Sequence, residues 1–352
     1  MNILVTGCAG FIGSHLSASF LAQGHAVIGL DNLSRPGTRH NLQWLRSQPG
    51  AFRFVDLDIR SADRLLAFFA ANRGFDCVVH EAAQVAVTTS IVNPRLDFET
   101  NAAGTFNVLE GTRLYSSQAI FLFASTNKVY GGMPDIRIAE QPRRYGYADL
   151  EHGAGETRPL DFHSPYGCSK GTADQYVRDY HRIYGIRSVV FRQSCIYGTR
   201  QFGVEDQGWV AWFTIARLLN RPITVYGDGK QVRDLLRIDD LVDLYQRAIR
   251  HIDVAAGQVY NVGGGPSNSL SILELLDILR EYGPLENCTF ADWRAGDQKV
   301  YISDSRKAAA DLGWEPRVTP AEGVRKLVEW ARSSRPEIEE IFLQPAPVHN
   351  EA

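Results

Sequence analysis

The chain has 352 residues, 44% hydrophobic and 22% charged, which is enough to bury a large core and ordinary for a globular protein. A formal net charge of −3 removes any electrostatic case for partners such as nucleic acid or an anionic membrane surface. Five scattered cysteines, never in a C-x-x-C pair, argue against a disulfide framework or a zinc site, so no metal is expected. The opening runs straight into a strand without a basic leader, and no apolar run approaches the roughly 18 residues of a membrane span. A cytoplasmic protein is expected.

In chain order, short runs rich in Val, Ile, Leu and Phe predict strands at 3–6, 26–31, 52–55, 77–80, 119–125 and 188–192. Helices are predicted between them near 13–22, 61–72, 96–115 and 166–184. Such alternation implies an α/β fold: a Rossmann-type, doubly wound parallel sheet covered on both faces. After Tyr197 the pattern loosens, with helices near 208–219, 239–250, 270–282 and 319–333 and Gly-rich connections such as 263–266. The expected division is a large domain of 1–192 plus 233–262, a smaller mixed α/β lobe of 193–232 plus 263–335, and a loose tail over 336–352.

Gly7, Gly10 and Gly13 follow the first strand and open the first helix, the setting in which a glycine pattern carries meaning. Absent side chains let the backbone approach a pyrophosphate, and the helix start offers N–H groups and positive potential. Asp31 ends the second strand, 18 residues after Gly13. A carboxylate there accepts ribose hydroxyls and repels a 2′-phosphate, favouring NAD over NADP although Arg35 follows closely. Asp58 and Ile59, after the third strand, are placed beside the adenine; a surface Asp closing a strand is the competing reading.

Tyr166 and Lys170 are spaced i, i+4 and project from one helix face, with Pro165 marking the helix start. Using a phenol as a base near pH 7 asks for about three pK units, or roughly 4 kcal/mol, which an adjacent ammonium helps to supply. At the end of the fifth strand, Thr126 is the hydroxyl expected to hold the reacting alcohol, with Ser125 the alternative. His80, ending the fourth strand, reads as an orienting or packed residue rather than an acid.

The ordered set T-G-x-x-G-x-x-G, Asp31-Asn32-Leu33-Ser34, His80-x-Ala-Ala, Asn101-x-x-Gly104-Thr105, Ser125-Thr-x-x-Val-Tyr-Gly and Ser164-Pro-Tyr166-x-x-x-Lys170 resembles an extended short-chain dehydrogenase/reductase. That family contains the NAD-dependent nucleotide-sugar epimerases and dehydratases, and the likeness spans about residues 2–330. The resemblance implies that Tyr166 is the base, that Lys170 lowers its pKa and grips the nicotinamide ribose, and that Thr126 holds the hydroxyl. It places Phe11, Ile12, Asn32, Ser34 and Arg35 around the cofactor. Ala82, Ala83, Gln84, Asn101 and Ser125 join them. Cys8 stands where the family usually has a second glycine.

Two arginines, Arg233 and Arg294, match family positions that hold a nucleotide diphosphate, a role suited to bidentate guanidinium pairing. Substrate contacts are further implied for Gln84, Ser90, Asn127, Lys128, His163, Ser194 and Gln201. The dehydratase branch carries an acid just after the threonine; here Asn127 and Lys128 occupy that stretch, so elimination of water lacks its proton donor. The strings 84–90, 125–130, 160–170 and 206–213 resemble the branch that inverts C2 of CDP-linked 6-deoxy sugars, whereas 132–158 departs from it. The expected partner is therefore a CDP-sugar, and a homodimer or homotetramer is expected by family analogy. Three alternatives stay open: a UDP-sugar 4-epimerase, a net nucleotide-sugar reductase, and an NAD-sensing protein without turnover.

Overall fold

The structure, a computed structural model, describes residues 1–285, 287–294 and 297–343. Asn2–Thr6, Ala26–Asp31, Phe52–Asp56, Cys77–His80, Ile120–Thr126, Arg187–Gln193 and Val259–Val262 form one seven-stranded sheet, every pairing parallel. The first and fourth strands lie side by side. The second and third extend outward from the first, and the remaining three from the fourth. The strand order reverses at that central pair, which opens a crevice at the carboxyl edge where α/β sheets bind ligands.

Side chains alternate across the sheet with period two. Ile3, Val5, Val79, Leu122 and Phe191 pack with helices Phe11–Ala22 and Ile238–Arg250. Leu4, Val78, Phe121, Phe123 and Val190 pack on the other face with Ala62–Ala71, Gly104–Tyr115 and Ser164–Tyr184. A sheet apolar on both faces is what the near-continuous hydrophobic strands encode.

Three local differences from expectation have physical reasons. The single helix anticipated at 96–115 is helix Pro94–Phe98, a π-helical turn Glu99–Ala103, then helix Gly104–Tyr115. Helix Thr38–Arg46 starts at Gly37 (φ 81°) with no capping side chain, so it lacks the usual start signal. In place of a loose tail from 336, Arg335–Leu343 is a helix whose Ile338 is buried with Phe202 and Ile215; 344–352 lie outside the described residues.

Beyond the large sheet, Val232–Arg237 pairs with Ser269–Ser271 and Val300–Tyr301 at its start and with Cys195–Tyr197 at its end. Helices Trp209–Leu218, Ile272–Arg280 and Pro320–Ser333 bury Trp212, Phe213, Leu275, Leu279 and Leu327 behind it. The divergent segment 132–158 contains a hairpin, Ile138–Glu140 with Tyr145–Tyr147. It is tied down where Tyr145 Oη donates to Asp228 at 2.5 Å and Tyr145 N to the Lys230 carbonyl at 2.8 Å, just ahead of Arg233.

Candidate active site

The glycine loop is shaped by space that nothing larger can enter. Gly7 has φ +70°, and a Cβ there would stand 2.7 Å from Ala82 N; one on Gly13 would stand 2.1 Å from the Gly7 carbonyl oxygen. Gly10 N-caps the helix that begins at Phe11, with Ile12 in its first turn, leaving backbone N–H groups directed at the crevice. Cys8 departs from the family pattern because its side chain fills the core: a Cβ on Gly29 would meet its Sγ at 2.5 Å. Asp31 is buried at the end of the second strand, accepting from Ala9 N at 3.0 Å and Leu33 N at 2.8 Å. Burial raises its carboxyl and those backbone bonds oppose the rise. These residues fit a dinucleotide: a side-chain-free cradle at a helix start, with a carboxylate fixed beyond it.

Asp58 accepts from Asn32 Nδ2 at 2.9 Å and from the Arg60 guanidinium at 2.8–3.1 Å. Partial burial pushes its carboxyl up, but the Arg60 and Asn32 bonds outweigh that and hold it at about 2. Ser34 N donates to Asn32 Oδ1, and Arg35 Nη2 reaches Gln207 Oε1 at 3.2 Å, linking the Asp31 turn to the smaller lobe. Ile59 is buried against Gly104. Ala82 N donates to Thr6 Oγ1 at 3.3 Å, and Ala83 follows it, half-buried, on the same rim.

Tyr166 sits in the first turn of Ser164–Tyr184, its N–H donating to Ser90 Oγ at 3.2 Å. Its phenol is pushed up to about 12 by burial, opposed by a hydrogen bond with Thr126 and reinforced by Asp97. Lys170 Nζ donates to the Ala124 carbonyl at 2.5 Å and lies 4.4 Å from the Phe123 ring centroid. Burial lowers its ammonium to about 8, with Glu81, Asp174 and Asp97 opposing. Lys170 is thus tied to main chain, and burial is the largest influence on the phenol.

Thr126 and Ser125 separate cleanly. Ser125 Oγ donates to Asp174 Oδ2 at 2.8 Å and is committed inward. Thr126 stays at the rim, where its Oγ1 accepts from Lys128 N at 3.2 Å and approaches Asn127 Oδ1 at 3.4 Å. His80 lies between Thr6 Oγ1 (2.6 Å) and Thr105 Oγ1 (2.9 Å), and burial takes it down to about 3. It is a neutral packed residue.

Several residues that shape this rim escaped the sequence reading. Asp97 accepts from Ser169 Oγ (2.5 Å), Gln84 Nε2 (2.8 Å) and Asn101 Nδ2 (3.2 Å), while Asn101 also bridges the Gln84 backbone. The Asp97–Asn101 spacing of i, i+4 was the available signal. Gln84 is consumed in this network and turns no amide toward a substrate. Behind Ser125, Asp174 forms a bidentate pair with Arg192 at 2.9 and 3.0 Å, and Arg192 also donates to Tyr130 Oη.

On the lobe side, Arg233 Nη2 pairs with Asp297 Oδ1 at 2.6 Å, and Lys128 Nζ donates to Gln298 Oε1 at 3.2 Å. Burial lowers Lys128 to about 8, helped by Arg233 and opposed by Asp297. Arg294 lies 3.8 Å over the Tyr226 ring and donates to the Glu205 carbonyl at 3.3 and 3.4 Å; residues 295 and 296 between it and Asp297 lie outside the described residues. Three expected contacts point elsewhere. His163 is exposed and paired with Asp161 at 2.9 Å, Ser194 Oγ donates to Asp234 at 2.5 Å, and Gln201 is buried toward the Ile196 carbonyl. Each is engaged with a partner of its own chain.

The family model described as "NAD dependent epimerase/dehydratase family" matches residues 3–263. CDP-paratose 2-epimerase of Salmonella typhi is 44% identical over 95% of this chain and 100% of its own length. The solved structure of Thermus thermophilus UDP-glucose 4-epimerase in complex with NAD superposes with TM-score 0.80 at 33% identity, covering 95% of this chain and 100% of that one. The dTDP-glucose 4,6-dehydratase of Streptomyces venezuelae, solved with NAD bound, gives 0.82 at 31%, covering 97% and 100%. Among the described residues no helix is long and apolar enough to cross a membrane.

Proposed function

Because the chain belongs to the NAD dependent epimerase/dehydratase family, we propose that this NAD-dependent epimerase inverts C2 of a CDP-linked hexose. The conversion is of the CDP-paratose to CDP-tyvelose kind, with CDP-glucose the substrate if the hydroxyls are intact. NAD, held by the Gly7–Gly13 loop and Asp31, would supply reversible hydride acceptance at the sugar carbon. Tyr166 removes the C2 hydroxyl proton and later returns it. Thr126 holds that oxygen as alcohol and as ketone. Lys170 anchors the ribose end and adds positive charge beside the phenol. Burial pushes the Tyr166 phenol up, and the positive charge of Lys170 and of the bound cofactor would oppose that. Arg233, Lys128 and Arg294 clamp the diphosphate, exchanging Asp297 and Glu205 for phosphate oxygens. The sugar turns about that clamp and presents its opposite face.

One observation carries this reading: Tyr166 is hydrogen-bonded to Thr126 on a buried rim that also holds Lys170, and an amide, Asn127, stands where the resemblance implies an acid in the dehydratase branch. The test is a panel of CDP-, UDP- and GDP-sugars incubated in D₂O and followed by NMR. Inversion at C2 of a CDP-sugar without deuterium uptake or net NADH consumption is expected. Deuterium at the inverted carbon or consumption of NADH overturns it, and inversion at C4 of a UDP-sugar moves the enzyme to another branch. A cytoplasmic homodimer completes the proposal, supported by the exposed Phe98, Phe106, Leu114, Tyr176, Ile183 and Tyr184 on neighbouring helices. A monomer by analytical ultracentrifugation would remove that part.

A further inference from the structure

The short turn Asn127–Tyr130 carries Lys128 between the Tyr166 rim and the Arg233 cluster, and one amide ties it to the lobe. On the rim side, Lys128 N donates to Thr126 Oγ1 at 3.2 Å, and a Cβ on Gly167 would stand 3.3 Å from the Lys128 carbonyl oxygen. The turn therefore lies against the start of the helix that carries Tyr166. On the lobe side, Lys128 Nζ donates to Gln298 Oε1 at 3.2 Å. The other end of that amide, Gln298 Nε2, donates to the Gly131 carbonyl just past the turn. The Gln298 main-chain N–H donates to Asp297 Oδ1 at 2.9 Å, the same oxygen that receives Arg233 at 2.6 Å.

Gln298 is buried, so losing either partner would leave an amide atom unpaired. A carbonyl can only accept, so Gly131 takes the NH2 end and the oxygen is left facing the ammonium. The three cations of the cluster are held differently. Arg233 pairs with the Asp297 carboxylate and Arg294 lies 3.7 Å from that of Glu205, whereas Lys128 hydrogen-bonds to a neutral group. A neutral acceptor fixes the amine in place and occupies one of its three donors without cancelling its charge.

We propose that Gln298 is a positioning residue acting through Lys128: its amide holds the ammonium between rim and clamp, so that the lysine meets the diphosphate with no anion to give up. Arg233 and Arg294 must each release a carboxylate first. Gln298 thus serves grip rather than proton transfer.

The proposal rests on Lys128 as a member of the clamp, and the test separates the two ideas. Gln298→Met keeps the length of the side chain and removes both of its hydrogen bonds. Binding of CDP and of UDP to the NAD-loaded protein is measured by calorimetry for the wild type, Gln298→Met, Lys128→Met and the double variant. The tighter nucleotide is followed, so the choice of base does not decide the outcome. Lys128→Met is expected to weaken binding about thirtyfold and Gln298→Met about fivefold. The double variant should match Lys128→Met within about twofold, because Gln298 has no ammonium left to place. In turnover, Gln298→Met should raise KM about fivefold and keep kcat within about twofold. A loss of about fivefold that recurs in the Lys128→Met background assigns Gln298 to general packing and overturns the proposal. Unchanged binding in Gln298→Met, with Lys128→Met weakened, overturns it while the clamp stands. Unchanged binding in Lys128→Met removes the lysine from the clamp and the proposal with it. If Gln298→Met does not fold, the same cycle with Gln298→Asn decides, since the shorter side chain cannot span Gly131 and Lys128.

Discussion

The rim around Tyr166 and the cluster around Arg233 are built on opposite plans. At the rim, polar groups are buried, bonded to main chain, to neutral side chains or within the buried Asp174–Arg192 pair, and fixed by the ends of strands and one long helix. Around Arg233 and Arg294, cations are already paired with Asp297 and Glu205 at the edge of the smaller lobe. On the proposed reading, the first region is preorganised for a proton and a hydride and has little to rearrange. The second must trade one set of anions for another, so binding there is a difference between two pairings. Chemistry and grip are accordingly expected to fail in different ways when mutated.

The largest effect should fall on the rim. Tyr166→Phe is expected to lower turnover about a thousandfold while bound NAD is retained, which single-turnover assays and the absorbance of the purified protein would check. Next comes the support behind it: Asp174→Ala leaves Arg192 buried without its partner and should cost about 4 kcal/mol of stability, read by urea denaturation. Acid should act on the large domain almost as strongly. Burial takes His15 to about 4 and His80 to about 3, so the unfolded chain gains protons first. Stability is full above about 6.5 and falls as pH drops toward 4, by about 3 kcal/mol for His15 alone; denaturation midpoints that do not move between pH 7 and 4.5 would contradict this.

At the other region, Arg233→Ala should raise KM about tenfold and change kcat little, since the clamp is shared with Lys128 and Arg294. An equal loss in kcat would erase the contrast between the two regions. His163→Ala, already paired outward with Asp161, is expected to stay within about 0.5 kcal/mol in stability and twofold in rate.

What the sequence revealed follows the range of the contacts involved. The glycine loop, Asp31 and the Tyr166–Lys170 pair were legible because each depends on spacing within one strand, turn or helix. Asp97, Ser169 and Glu81 were not, because their partners lie on elements distant in the chain: Ser169 meets Asp97 across 72 residues, and Tyr245 meets Glu81 across 164. Charge balance at the rim was also hidden. Spacing put Lys170 and Tyr166 on one helix face, but only the folded structure shows how deeply the phenol is buried. The π-helical turn at Asn101 carries no breaker residue to announce it, and the hairpin in 132–158 is held by Asp228 and Lys230 rather than by its own pattern.

The strand Val232–Arg237 carries Arg233 near its start while its far end is laced to Cys195–Tyr197, the continuation of the large sheet's Arg187–Gln193. On the proposed reading, a girder of that kind fixes the span between phosphate grip and reacting carbon. Motion during a cycle then falls, on that same reading, to the bound sugar, leaving the beam itself untouched.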